Sequence, residues 1–209
     1  MKFDPTLYFI TDSTGVETPR LLEIVDAACR GGASLVQLRE KNRTGREYLS
    51  LARAVKAVTD AHHVPLLIDD RADIALAAGA SGVHVGSDDL PVADARVIMG
   101  PDKIVGATAK TVERALEAQS QGADYLGVGA IYPTTTKVKT VLTSVDTLRD
   151  ICKTVNIPVC AIGGLNAGNC GVLANTGIAG FCVVSAIMKS PDPEMTAREL
   201  RSWSMKLKG

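Results

Sequence analysis

Eight short apolar runs, recurring along all of the 209 residues, constrain this chain more than any other feature. They are Leu7–Ile10, Leu35–Leu38, Leu66–Ile68, Gly82–Val85, Ile104–Gly106, Tyr125–Val128, Val159–Ile162 and Gly180–Val184. Longer stretches of helical period lie between them, among them Arg20–Cys29, Arg46–His62 and Val112–Gln121. Strand-length and helix-length segments in alternation predict βαβ units and a parallel sheet. The runs are apolar at nearly every position, which predicts strands covered on both faces. Eight strand–helix pairs of about 26 residues each suit an α/β chain folded as one (β/α)8 TIM barrel over residues 1–209. A doubly wound sheet is the rival. Its first turn would normally carry Gly-x-Gly-x-x-Gly, whereas here the turn reads Thr11-Asp12-Ser13-Thr14-Gly15.

A weak internal repeat favours the barrel. Gly32-Ala33-Ser34, Gly79-Ala80-Ser81 and Gly122-Ala123-Asp124 each stand between a helical stretch and an apolar run, and Gly177-Ile178-Ala179 does so more loosely. Glycine suits such a place because helices often stop on a left-handed residue. The marks precede the second, fourth, sixth and eighth runs, so the unit is two strands and two helices taken four times.

Composition excludes several classes of function. Lys+Arg 23 equals Asp+Glu 23, which argues against binding nucleic acid through its phosphate backbone. No apolar stretch approaches the roughly 18 residues of a membrane span, and the first residues lack a signal-peptide layout. A cytoplasmic protein is expected. The five cysteines include no Cys-x-x-Cys pair and read as reduced core residues. A thiol nucleophile would want a histidine base, and sequence alone places none of His62, His63 and His84 beside one.

In a parallel barrel the chemistry gathers at the carboxyl ends of the strands. The second run leads into Gln37-Leu38-Arg39-Glu40-Lys41. Alternation puts Gln37, Arg39 and Lys41 on one side and Leu38 on the other. Two cations and an amide suit a polyanion; a solvated strand end with ion pairs to nearby helices is the plainer alternative. The third run ends in Asp69-Asp70-Arg71 and the fourth in His84-Val85-Gly86-Ser87-Asp88-Asp89. Carboxylates ending adjacent strands can share one Mg2+, which takes one or two of them plus waters and substrate phosphates. Each pair alone also fits a helix N-cap, a role that suits Asp88 or Asp89 ahead of Pro91 better than Asp70. After the sixth run, Pro133-Thr134-Thr135-Thr136-Lys137 offers three hydroxyls and a lysine as a phosphate clamp. Gly163-Gly164 after the seventh run and Val184-Ser185 after the eighth match the place where such barrels bind phosphate. Two anion sites, one with Mg2+, imply a reaction of two phosphorylated substrates.

In their order and spacing these segments closely resemble the thiamine-phosphate synthase family, which joins the pyrimidine and thiazole halves of thiamine monophosphate. The likeness runs from Tyr8-Phe9-Ile10-Thr11-Asp12 to Val184-Ser185-Ala186-Ile187. It rests on Gln37–Lys41, Asp70-Arg71, Gly82–Gly86 with Asp89-Leu90, Pro133–Lys137 and Ala161–Gly164. The resemblance implies a transferase with one Mg2+ ion, held by Asp70 and Asp89. It implies that Gln37, Leu38, Arg39, Glu40, Lys41, Asp69, Thr108 and Lys137 hold the pyrimidine diphosphate, with Arg39, Lys41 and Lys137 as its catalytic cations. Thr134, Thr135, Thr136, Gly164, Val184 and Ser185 would hold the thiazole phosphate. Thr108 stands where the family usually has a serine. Two positions depart from the pattern: Asp69 replaces an asparagine, and Lys110 stands where many relatives have histidine. A thiazole tautomerase-like isomerase would want that histidine, and a non-catalytic sensing barrel would be expected to lack the aspartate pair. Expected partners are small phosphorylated molecules, with a homo-oligomer left open.

Overall fold

Side-chain caps start four of the eight α-helices among the described residues. Thr44 accepts a hydrogen bond from the Glu47 N–H while the Glu47 carboxylate accepts from the Thr44 N–H, a reciprocal cap. Thr111, Ser144 and Asp192 cap three further helices through their side-chain oxygens. The computed structural model describes residues 3–134 and 141–208. Its elements, in chain order, are β1 (Leu7–Ile10), α1 (Thr18–Arg30), β2 (Leu35–Leu38), α2 (Gly45–Ala61), β3 (Leu66–Asp69), α3 (Ala72–Ala77), β4 (Gly82–Val85), α4 (Val92–Met99), β5 (Ile104–Ala109), α5 (Val112–Ser120), β6 (Tyr125–Gly129), α6 (Val145–Thr154), β7 (Val159–Ile162), β8 (Gly180–Val183), α7 (Ser185–Met188) and α8 (Pro193–Leu207).

All strand pairs are parallel, and β1 pairs with both β2 and β8, so the sheet closes into a barrel in sequence order. The expected (β/α)8 architecture is therefore the observed one. The helix-ending glycines lie where the repeat put them, with φ of +100° at Gly32, +68° at Gly79 and +95° at Gly122. At each, the next residue's N–H reaches back five residues, from Ala33 to Ala28, Ala80 to Ala75 and Ala123 to Ala118, at 2.9, 2.9 and 3.0 Å. The following N–H then bonds the preceding strand, as in Ser81 to the Leu66 carbonyl. One short device thus ends a helix and launches a strand in register.

Two details depart from the sequence expectation. A single 3-10 turn, Cys170–Leu173, stands where the seventh helix was expected. The Asn166 side chain accepts from the Gly168 N–H and that of Asn169 from the Asn166 N–H, local bonds that compete with a helix. Strand β5 also runs three residues beyond its apolar stretch, because its pairing with β4 reaches Ala107 and its pairing with β6 continues through Thr108 to Ala109 whatever the polarity there.

Inward residues Tyr8, Ile10, Leu35, Leu67, Ile104, Tyr125, Cys160 and Cys182 form a core inside the barrel. Outward residues such as Phe9, Val36, Leu38, Ile68 and Val83 form a larger one beneath the helices. Both faces are covered, as the unbroken apolar runs require. Inside the barrel a missing side chain matters as much as a present one. A Cβ on Gly106 would lie 2.1 Å from the Tyr125 ring. Gly106→Ala should therefore destabilise the barrel by about 1–3 kcal/mol through overpacking, a loss of several degrees in melting temperature. A thermal melt matching that of the parent would contradict this packing.

Candidate active site

One cavity opens at the carboxyl ends of the strands, and all eight strands contribute to its lining. Period-two alternation places the inward residues one above another, so polar groups succeed apolar ones toward the mouth. Gln37 on β2 is 2% exposed and donates to the Tyr8 hydroxyl at 2.6 Å. Beyond it, the Arg39 N–H donates to the buried Thr11 hydroxyl at 3.1 Å, which fixes the strand end.

The charged wall is built from β2, β3 and β4. Lys41 Nζ lies 3.1 Å from Asp69 and hydrogen-bonds Asp70, while Arg39 Nε lies 3.7 Å from Asp69. Asp70 has φ +62°, a left-handed conformation in which Asp is among the few tolerated side chains. Its N–H donates to the His84 carbonyl at 2.8 Å, and its carboxyl group interacts with that of Asp89. The Asp89 carboxylate also accepts from the Gly86 N–H at 2.8 Å. Neither Asp88 nor Asp89 caps α4, whose N-cap is Pro91.

Electrostatics follow from this crowding. Burial and then the Asp70 charge push the Asp69 carboxyl up to about 6, against the pull of Lys41 and Arg39. Burial and the hydrogen bond with Asp70 also raise Asp89. Asp70 is the member held low: burial opposes its ionisation, but Lys41 and Asp89 outweigh it. The same carboxylates hold Lys41 above its ordinary value despite desolvation.

Among the described residues no cluster of three or more His, Cys, Asp or Glu side chains forms a metal cage. Two interacting carboxylates on the cavity wall, beside an ammonium, are instead a donor set that can take a cation and leaves positions open. That suits Mg2+, which takes few protein ligands and completes its shell with water and substrate phosphate.

The sequence-derived candidates Gln37, Arg39, Lys41, Asp69, Asp70, Asp89, Thr108, Thr134, Gly164, Val184 and Ser185 all line this cavity. Two do not. Leu38 points into the outer core, where its carbonyl accepts from the Tyr48 hydroxyl at 2.8 Å. Glu40 turns to the side, and its carboxylate accepts from Ser13 at 2.6 Å and Arg43 at 2.8 Å, bracing the loops after β1 and β2. Thr135, Thr136 and Lys137 lie outside the described residues. Reading motifs alone passed over Tyr8 and His84, which line the cavity floor, and Tyr125 beneath them. Their signal was available: in an inward-facing column of a strand, a phenol or imidazole has only the barrel interior to occupy. The cysteines remain unpaired, and burial pushes the thiols of Cys29 up to about 12 and Cys152 to about 11.

A closed parallel barrel with its polar and charged groups gathered at one rim is the architecture of (β/α)8-barrel enzymes. The sequence pattern of the thiamine monophosphate synthase family matches residues 7–187. The chain belongs to that family. It is 54% identical over 188 residues to thiamine-phosphate synthase 2 of Streptococcus pneumoniae, covering 90% of each chain. It is 51% identical over 199 residues to the thiamine-phosphate synthase of Ruminiclostridium cellulolyticum, covering 95% of each. Thiamine phosphate pyrophosphorylase from Pyrococcus furiosus superposes with a TM-score of 0.88 at 37% identity, over 98% of this chain and 97% of that one.

Proposed function

We infer that the enzyme condenses 4-amino-2-methyl-5-(diphosphooxymethyl)pyrimidine with 4-methyl-5-(2-phosphooxyethyl)thiazole to give thiamine phosphate and diphosphate. The observation that carries this reading is the convergence in one cavity of Arg39 and Lys41, the Asp70–Asp89 pair and, opposite them, Gly164 and Ser185. The family membership points to the same reaction. In it the pyrimidine CH2–O bond breaks, diphosphate departs with its electron pair, and the thiazole nitrogen forms the new C–N bond.

Arg39 and Lys41 bind the diphosphate and stabilise the charge that grows on it as it leaves. Lys137 is assigned the same task from the family pattern. Asp70 and Asp89 would hold Mg2+, which supplies further charge neutralisation on the diphosphate when bound. Thr108 donates a hydrogen bond to the same group. Gly164, Val184, Ser185 and Thr134, with Thr135 and Thr136 from the family pattern, bind the thiazole phosphate and so aim the ring nitrogen at the reacting carbon. No side chain acts as a nucleophile. The aminopyrimidine delocalises positive charge from its CH2 carbon, which favours a dissociative path through a short-lived pyrimidine cation. Five unpaired cysteines accord with a reducing, cytoplasmic setting.

The test is direct: purified, folded protein mixed with both phosphorylated halves and Mg2+ should release thiamine phosphate. Absence of product would overturn the assignment. A sharper expectation concerns Asp69, whose buried carboxylate engages both cations assigned to the diphosphate. Asp69→Asn frees Arg39 and leaves Lys41 to Asp70 alone, and a competing contact of roughly 1 kcal/mol corresponds to about fivefold in affinity. The KM for the pyrimidine diphosphate should fall by that factor. A raised Mg2+ requirement instead would make Asp69 a third metal ligand.

A further inference from the structure

Beneath the cavity, five side chains from five strands form one hydrogen-bonded chain across the barrel. Gln37 Nε2 donates to the Tyr8 hydroxyl at 2.6 Å, the Tyr8 and Tyr125 hydroxyls are 2.7 Å apart, Tyr125 is 2.8 Å from His84 Nδ1, and His84 Nε2 is 3.0 Å from Thr108 Oγ1. The barrel is hollowed to admit this chain. The space a Cβ would take at Gly106 is filled by the Tyr125 ring and its hydroxyl, and His84 lies 3.3 Å from the Cβ position of Gly127. Gln37, Tyr8, His84 and Thr108 line the cavity, whereas Tyr125 is fully buried and does not.

The hydrogen inventory gives the chain a direction. Burial pushes both phenols well above their ordinary pKa, so each keeps its single hydrogen. Tyr8 already accepts from Gln37. Were it also to accept from Tyr125, its own hydrogen would be buried without a partner, which is costly. Tyr8 therefore donates to Tyr125, and Tyr125 in turn donates to His84 Nδ1. An imidazole accepting at Nδ1 carries its hydrogen on Nε2 and donates it to Thr108 Oγ1. The Thr108 hydroxyl, its oxygen so engaged, keeps its own hydrogen for an acceptor in the cavity.

We propose that His84 is a positioning residue which, oriented by the Gln37–Tyr8–Tyr125 chain, holds the Thr108 hydroxyl as a dedicated hydrogen-bond donor to an anionic oxygen of the departing group. The proposal rests on reading the cavity as the site of a diphosphate-bearing substrate, and it assigns a task to the buried Tyr8 and Tyr125 and the half-buried His84, which the condensation itself does not use. It also explains the placement of a phenol on β6, out of reach of any ligand: Tyr125 connects the amide on one side of the barrel to the imidazole on the other.

Two measurements test it. The first needs no substrate. In protein labelled with 15N-histidine, with the His84 signals assigned by their loss in His84→Asn, His84 should be the neutral Nε2–H tautomer. In Tyr125→Phe, or in Tyr8→Phe should the former not fold, that preference should weaken to a mixture. An Nδ1–H tautomer in the parent protein, or a tautomer indifferent to both variants, overturns the proposal. The second is a double-mutant cycle on the condensation. Tyr125→Phe should lower kcat about three- to tenfold with Thr108 or Thr108→Ser present, and less than twofold in Thr108→Val. Equal losses in all backgrounds mean that Tyr125 only supports the fold, and overturn the proposal. Parent protein that shows the Nε2–H tautomer and its loss in the variants, yet makes no thiamine phosphate, would overturn the assigned reaction while supporting the chain.

Discussion

Asp70→Ala and Asp89→Ala should each lower turnover by about 100-fold or more while leaving the barrel folded. A metal–carboxylate contact that strengthens as charge moves onto the leaving diphosphate contributes several kcal/mol, and each 1.36 kcal/mol is tenfold in rate. Both residues lie on loops at the rim, outside the two apolar cores, so melting temperatures should change little. Asp88→Ala is the matched control. Asp88 is exposed and absent from the cavity lining, so its variant should turn over like the parent. Near-parent turnover in Asp89→Ala would remove the aspartate pair from the mechanism.

The second large effect is expected from the substrate rather than the protein. Replacing the pyrimidine methyl by trifluoromethyl withdraws electrons from the ring and destabilises positive charge at the CH2 carbon. Single-turnover rates should fall by orders of magnitude, with the diphosphate and its binding groups unchanged. Direct displacement by the thiazole nitrogen would be far less sensitive. A single-turnover rate that ignored the substitution would exclude the cation.

Much of this was legible in the sequence because a barrel repeats its signals. The alternation of runs and helices, and glycines such as Gly32 and Gly79, are local features that eight strands make redundant. The cavity lining was legible for a related reason: residues just after a strand end, such as Arg39, Asp70 and Ser185, have one rim to occupy. The family motif runs unbroken from Gln37 to Lys41, yet the side chains of Leu38 and Glu40 lie away from the cavity. In an extended chain alternate residues face apart, so Leu38 serves the outer core and Glu40 the neighbouring loops. The replacement of an α-helix by a 3-10 turn between β7 and β8 was hidden because Asn166 and Asn169 act through side-chain bonds that periodicity does not register. His84 and Tyr125 are separated by 41 residues, and only the closed sheet makes them partners.

The pairing of β1 with β8 has a consequence during synthesis. Tyr8 aligns with Cys182, so the seam between them waits until nearly all the intervening chain has left the ribosome. Helix α8 packs over both strands of the same seam late and ties the start of β1 through the Ser204 hydroxyl, which donates to the Thr6 carbonyl. Until then β1 and the newest strand are open edges, rich in Leu, Ile, Val and Phe, of the kind that pairs with other chains. Nascent protein is therefore most exposed to aggregation just before β8 emerges. Conditions that slow translation through the last two strands should lower the soluble yield more than an equal delay early in the chain.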